Sequence, residues 1–138
     1  MKNDTQTALN LLIQGDFTCV VCREDICYTS TIRGVKPLLD WLDKGPSLQN
    51  FCAADKVVGR AAAFLYCLLG VSEVYAHVMS RPAAEVLTAC GIHVEAGEFT
   101  DGIINRKGTG PCPFESAVMH IQNPEEALII IREKIAAL

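Results

Sequence analysis

The sequence predicts a three-layer α/β/α domain: a mixed sheet opened by a β-hairpin, with helices on both faces. Two observations carry this. The runs Phe17–Cys22 and Ile26–Ser30 are rich in β-branched and aromatic residues and flank Arg23-Glu24-Asp25, so they read as an antiparallel hairpin. Beyond them, short apolar runs alternate with segments of helical period, the pattern of parallel strands joined by right-handed crossovers.

The elements follow in order. Thr5–Ile13 carries an apolar stripe at helical spacing, closed by Gly15, and precedes the hairpin. Val35–Leu42 is a short amphipathic helix that starts after the Arg33-Gly34 turn and stops at Gly45-Pro46. Phe51–Ala54 reads as a brief buried strand. Val57–Leu69 is apolar almost all round and ends at Gly70, so it is expected as a central, largely buried helix. Val74–Met79 is a strand, and Ser80-Arg81-Pro82 opens a helix that runs through Cys90 to Gly91; proline in the first turn and glycine just past the end fix both boundaries. Ile92–Ala96 is a further strand. After a loop over 97–111 comes a short helix from about Pro113 to His120. Asn123-Pro124-Glu125-Glu126 is a capping box for a last helix over Ala127–Leu138. No repeat or linker divides the chain, so residues 1–138 are expected to form one domain.

Composition narrows the function classes. A net charge of −4 provides no basic field for nucleic acid. The longest apolar run, Ala61–Leu69, is far below the roughly 20 residues of a membrane span. The first residues lack the features of a secretory signal, so a cytoplasmic location is expected. Half of the residues are hydrophobic, which suggests a homo-oligomer that shares an apolar face. Seven cysteines, an odd number set mostly in apolar patterns, read as reduced and buried thiols. Cys19 and Cys22 are spaced like a metal pair, but on a strand residues three apart point to opposite faces, and no second ligand pair follows at zinc-site spacing. No metal or cofactor is expected.

The densest motif is Gly108-Thr109-Gly110-Pro111-Cys112-Pro113-Phe114-Glu115. Glycine freedom combined with proline rigidity describes a defined loop. It presents Cys112 at a helix start, where the dipole favours thiolate. A packing role between two prolines is the alternative for Cys112.

Val74-Tyr75-Ala76-His77-Val78-Met79-Ser80-Arg81-Pro82, the helix to Cys90 and Gly91-Ile92-His93-Val94 together resemble the core of the cytidine-deaminase-like superfamily. In those enzymes Pro-Cys-x-x-Cys opens the equivalent helix and His-x-Glu lies on the preceding one. Here Ala83 and Val86 stand at the thiolate positions, and the segment from Asp55 to Arg60 has neither His nor Glu. Zinc-water deamination needs those ligands and that acid/base, so the resemblance implies the fold without the zinc chemistry. The phrases Arg33–Leu39, Ala54–Ala62, Ile104–Arg106 and Gly110–Glu115 are similar to an uncharacterised bacterial and archaeal domain-of-unknown-function family with that fold. The extra cysteines Cys19, Cys22 and Cys27 are outside that pattern.

Asp55 and Lys56 fall between a strand and a helix, at the carboxyl end of the sheet where open α/β folds place ligands; Asp55 could equally serve as an N-cap. Gly59, early in the expected helix, implies close packing or a close-approaching ligand. Arg33, Lys36, Arg81, Asn105 and Arg106 lie on loops or helix starts that could reach the same rim and suit an anion such as phosphate. His77, His93 and His120 form no spaced ligand set. Two readings follow: a binding domain for a nucleotide or related phosphorylated small molecule, or a zinc-independent enzyme with Cys112 as nucleophile and Glu115 or Asp55 handling the proton.

Overall fold

A computed structural model of the chain describes residues 1–104, 108, 110 and 112–138. In chain order the elements are α1 (Asn3–Gln14), β1 (Cys19–Arg23), β2 (Ile26–Ser30), α2 (Lys36–Lys44), β3 (Cys52–Val58), α3 (Arg60–Leu69), β4 (Glu73–Ser80), α4 (Arg81–Ala89), β5 (His93–Thr100), α5 (Pro113–Ala117) and α6 (Pro124–Ala136). They build one five-stranded mixed sheet in the order β2-β1-β3-β4-β5. β1 is antiparallel to both β2 and β3, while β3, β4 and β5 run parallel. The expected α/β sheet opened by a hairpin, with helices on both faces, is therefore what the chain forms.

The two helical layers are unequal. Among the described residues α1 is the helix that covers one face, burying Ala8 and Leu12 against Val20, Cys22 and Ala54. The other face carries α3 at the centre of a layer, packed against α2, α4 and α6. That explains why α3 is apolar all round: Phe64, Leu65 and Tyr66 are buried with the Ala53, Val74 and Ala76 side of the sheet. Local signals close the elements as the sequence implies. Ser80 Oγ accepts the Ala83 N–H at 3.1 Å to cap α4, and Asn123 Oδ1 accepts the Glu126 N–H at 3.1 Å to cap α6. Gly70, at φ 77°, ends α3 in the left-handed conformation that glycine adopts most readily.

Two boundaries differ from the sequence expectation. The third strand runs to Val58 and α3 starts only at Arg60, because Val57 and Val58 pair with Val78 and Met79 and continue the parallel ladder. β5 extends to Thr100 because β4 pairs with it as far as Ser80, even though Glu95 and Glu98 make it polar, as suits an outer strand.

One cysteine expectation is also corrected. Cys19 and Cys22 do separate to opposite sides of the sheet, but Cys22 is not a free thiol: it is joined by a disulfide to Cys27. The hairpin turns on Glu24-Asp25, with Glu24 at φ 54°, and this register sets Cys22 directly across from Cys27 with Cα atoms 4.2 Å apart. Cross-strand register, rather than the C-x-x-C spacing, decides the pairing.

Candidate functional site

Strands β3, β4 and β5 all end at the same edge of the sheet, and two reversals of direction bring the end of β2 there as well. This carboxyl edge therefore gathers the loop after β2 with Arg33, the Gly59 turn into α3, the Ser80-Arg81 start of α4, and Asp101 after β5. The centre of the edge is the first turn of α3. There the Glu115 carboxylate accepts the backbone N–H of Arg60 with one oxygen and that of Ala61 with the other, the latter at 2.8 Å. These are among the amides that a helix start leaves without intrahelical partners, and the helix dipole favours an anion at this place.

Gly59 makes the arrangement possible, since a Cβ there would lie 2.4 Å from the Glu115 carboxyl carbon. The close approach expected at this glycine is thus an approach by the chain itself. Arg60 completes the clamp from below: although it is 7% exposed, its guanidinium donates from Nε to the Val118 carbonyl at 3.1 Å and from Nη2 to the Ile121 carbonyl, and it stacks 5.1 Å from the centre of the Phe64 ring. The turn carrying α5 is thereby fastened to α3 by Glu115 on one side and Arg60 on the other.

A second polar cluster lies under the same edge. Asp55 sits within β3 opposite Cys19 of β1, on the face covered by α3. The Tyr66 hydroxyl donates to Asp55 Oδ2 at 2.7 Å, and the Cys19 thiol lies 3.0 Å from the Tyr66 oxygen, so proton donation runs from thiol to phenol to carboxylate. The Val57 N–H supplies a weaker bond to Oδ1 at 3.3 Å. Burial pushes the Asp55 carboxyl up to about 6, against the lowering effect of the Tyr66 hydrogen bond and the neighbouring amides. Burial and the Asp55 charge raise both the Cys19 thiol and the Tyr66 phenol. The arrangement can hold one proton near neutral pH. It is not an N-cap: with β3 prolonged to Val58, Gly59 takes the cap position of α3 and Asp55 remains a strand residue.

The remaining sequence candidates are dispersed along the edge. Lys56 points to the opposite side of β3 from Asp55 and reaches Asp16 at 3.7 Å, so the adjacent pair does not line one pocket. Arg81 bridges Asp101 at 2.7 Å across the ends of β4 and β5, and Lys36 bridges Asp40 within α2. Arg33 is exposed beside Gly34. Cys112 is half-buried at the cap of α5, where its backbone N–H donates to the Ile103 carbonyl at 2.8 Å. Asn105 and Arg106 lie outside the described residues. Sequence reasoning missed Tyr66 and the clamping role of Arg60. Arg60 was signalled by an arginine beside a glycine at the mouth of an apolar helix; Tyr66 sits in the apolar helix that strand pairing brings over Asp55.

Among the described residues no group of three or more His, Cys, Asp or Glu side chains is placed to hold a metal, and no helix is long and apolar enough to cross a membrane. A cleft of about 450 Å³ lies at the other edge of the sheet between the ends of α3 and α4, and its lining includes Gln49, Cys67, Ser72 and Cys90.

The backbone is similar to the crystal structure of a DUF1893 family protein, TM1506, from Thermotoga maritima, with a TM-score of 0.88 and 26% identity over 97% of this chain and 91% of that one. None of the curated proteins matches. Residues 7–135 match the family model described as domain of unknown function (DUF1893), and with nearly the whole chain inside that match, the protein belongs to this family.

Proposed function

We propose that the chain is a binding domain for a phosphorylated small molecule of nucleotide type, built on a deaminase-like scaffold without its zinc. The observation that carries this reading is the first turn of α3, where backbone N–H groups of Arg60 and Ala61 already hold an anion, the Glu115 carboxylate, at the carboxyl edge of a parallel sheet. Arg33, Lys56 and Arg81 lie along the same edge, and the sequence adds Arg106 as a further cation. A ligand phosphate competes with Glu115 for the two amides, so Glu115 acts as the occupant of the site in its unliganded form. The deaminase-like part rests on the β4-α4-β5 unit, whose helix begins at Ser80-Arg81-Pro82 and stops just before Gly91-Ile92. Ala83 and Val86 occupy the positions where such enzymes place thiolates, and they are 0% and 7% exposed.

The nucleophile reading for Cys112 has weaker support. Glu115 is committed to the amides of α3, and among the described residues no base is hydrogen-bonded to the Cys112 thiol. His77 is engaged by Tyr75, and His93 by Glu73 and Glu95.

A thermal-shift screen of nucleotides and sugar phosphates tests the binding reading. A true ligand at a hundredfold excess over its dissociation constant stabilises the protein by about 2.7 kcal/mol. Arg81→Ala and Arg106→Ala weaken that response, Glu115→Ala strengthens it by removing the competitor, and Cys112→Ser leaves it intact. A screen in which no phosphorylated compound shifts the wild type or the Glu115→Ala variant overturns the reading.

A further inference from the structure

We propose that Cys67 and Cys90 are a reversible dithiol–disulfide pair that fastens the C-terminal end of α3 to that of α4 when the protein meets hydrogen peroxide. The two residues come from different helices that pack side by side. They converge on one carbonyl: the Cys67 thiol lies 3.8 Å from the Val86 oxygen, and the backbone N–H of Cys90 donates to that same oxygen at 3.2 Å. Both residues line the cleft at the amino edge of the sheet, Cys90 exposed and Cys67 half-buried. The other cysteines are placed elsewhere. Cys22 and Cys27 are already joined, Cys19 and Cys52 are buried beneath helices or in the sheet, and Cys112 sits at the opposite edge.

Exposure sets the order of events. Peroxide reaches Cys90 from solvent, whereas burial, with the adjoining Cys90 thiol, holds the Cys67 thiol well above the usual range, so Cys67 is the resolving partner. The Cys90 sulfur attacks one peroxide oxygen, the O–O bond breaks, and the departing oxygen leaves as water with the thiol proton, giving a sulfenic acid. The Cys67 sulfur then attacks the Cys90 sulfur, the S–O bond breaks, and the hydroxyl leaves as a second water with the Cys67 proton. Two thiols lose two electrons and one peroxide becomes two waters. A thiol reductant restores the pair.

The test uses the whole chain treated with hydrogen peroxide, then denatured in N-ethylmaleimide and digested without reduction by a protease that cleaves after glutamate. Cuts after Glu73 and Glu85 place Cys67 and Cys90 on separate peptides. The expected product is the Cys67 peptide joined to the Cys90 peptide, with residues 1–24 also attached through the Cys22–Cys27 disulfide; dithiothreitol abolishes the Cys67–Cys90 link, while Cys19, Cys52 and Cys112 carry maleimide. Phenylarsine oxide, which bridges two neighbouring thiols, is expected to shield both cysteines from maleimide in the folded wild type, and Cys90→Ser is expected to expose Cys67 again. Recovery of Cys67 as a maleimide adduct while Cys90 is over-oxidised or linked between molecules overturns the proposal. So does a lack of arsenical protection in the wild type.

Discussion

Asp55 is a carboxylate that folding makes harder to ionise. Its folded value, about 6, stands above the ordinary 3.8, so between these two the native state binds the proton that the unfolded chain releases. Stability contributed by this residue is therefore greatest below about pH 4, falls as pH rises towards 6, and stays at its lower level above that, a loss on the order of 1–3 kcal/mol for a carboxylate that keeps some contact with solvent. Asp55→Asn keeps an oxygen to accept the Tyr66 hydroxyl and removes the charge. Chemical denaturation at a series of pH values should show the variant more stable than the wild type at pH 8 and equal to it near pH 4; parallel curves across that window would refute the assignment. Removing the phenol instead, by Tyr66→Phe, leaves Asp55 buried with less help and should raise its pKa further, read by NMR of the carboxyl carbon. The Glu115 carboxylate accepts hydrogen bonds from two amides of the first turn of α3. Glu115→Ala is expected to cost about 0.5–2 kcal/mol, the usual range for a helix cap.

The clamp between α3 and α5 shows how separate elements come to depend on one another. Gly59→Ala would drive a Cβ into the Glu115 carboxyl, so it should cost about as much as losing the clamp, whereas the Glu115→Ala background removes all three of the nearest atoms that the added methyl would meet. The two substitutions are therefore expected to be strongly non-additive, with a coupling above about 0.5 kcal/mol in a denaturation cycle; simple additivity would detach Gly59 from Glu115. Much at this scale was legible in advance. The hairpin, the Ser80 and Asn123 caps and the glycine stops rest on neighbours within a few positions, where propensity and pattern speak directly. The end of β3 was not, because Val57-Val58 suits either a strand or an apolar helix, and only pairing with Val78 and Met79 decides it. Nor was the cap of α3: Glu115 lies 54 residues from Ala61, and no local pattern announces that a carboxylate from a loop will seat there. The partners of Asp55 and Lys56 depended on which face of β3 each side chain took.

At the scale of the whole molecule, exposed apolar residues such as Ile26, Val57, Phe99, Met119 and Ile129 remain after the core is filled, and on our proposal of self-association light scattering at micromolar concentration should give at least twice the 15.0 kDa chain mass. A monomer mass would remove that proposal without touching the fold. The scaffold also makes a chemical prediction. A catalytic zinc needs about three protein ligands with an open fourth position, and deamination further needs a carboxylate acid/base. On the proposed deaminase-like reading, the residues of the β4-α4 unit that would face such an ion are Ala83 and Val86, which are packed into the hydrophobic core with Leu87 and Met79. On the preceding helix the first turn offers Arg60 and Ala61, whose amides are occupied by Glu115. A cation placed there would face the positive end of α3, which favours anions. Purified protein is accordingly expected to retain no stoichiometric zinc and to leave cytidine, cytosine, adenosine and guanine unchanged, measured by elemental analysis and by ammonia release. One zinc per chain surviving mild chelation would show that the edge selects cations, and would sink the phosphate-binding reading along with this prediction.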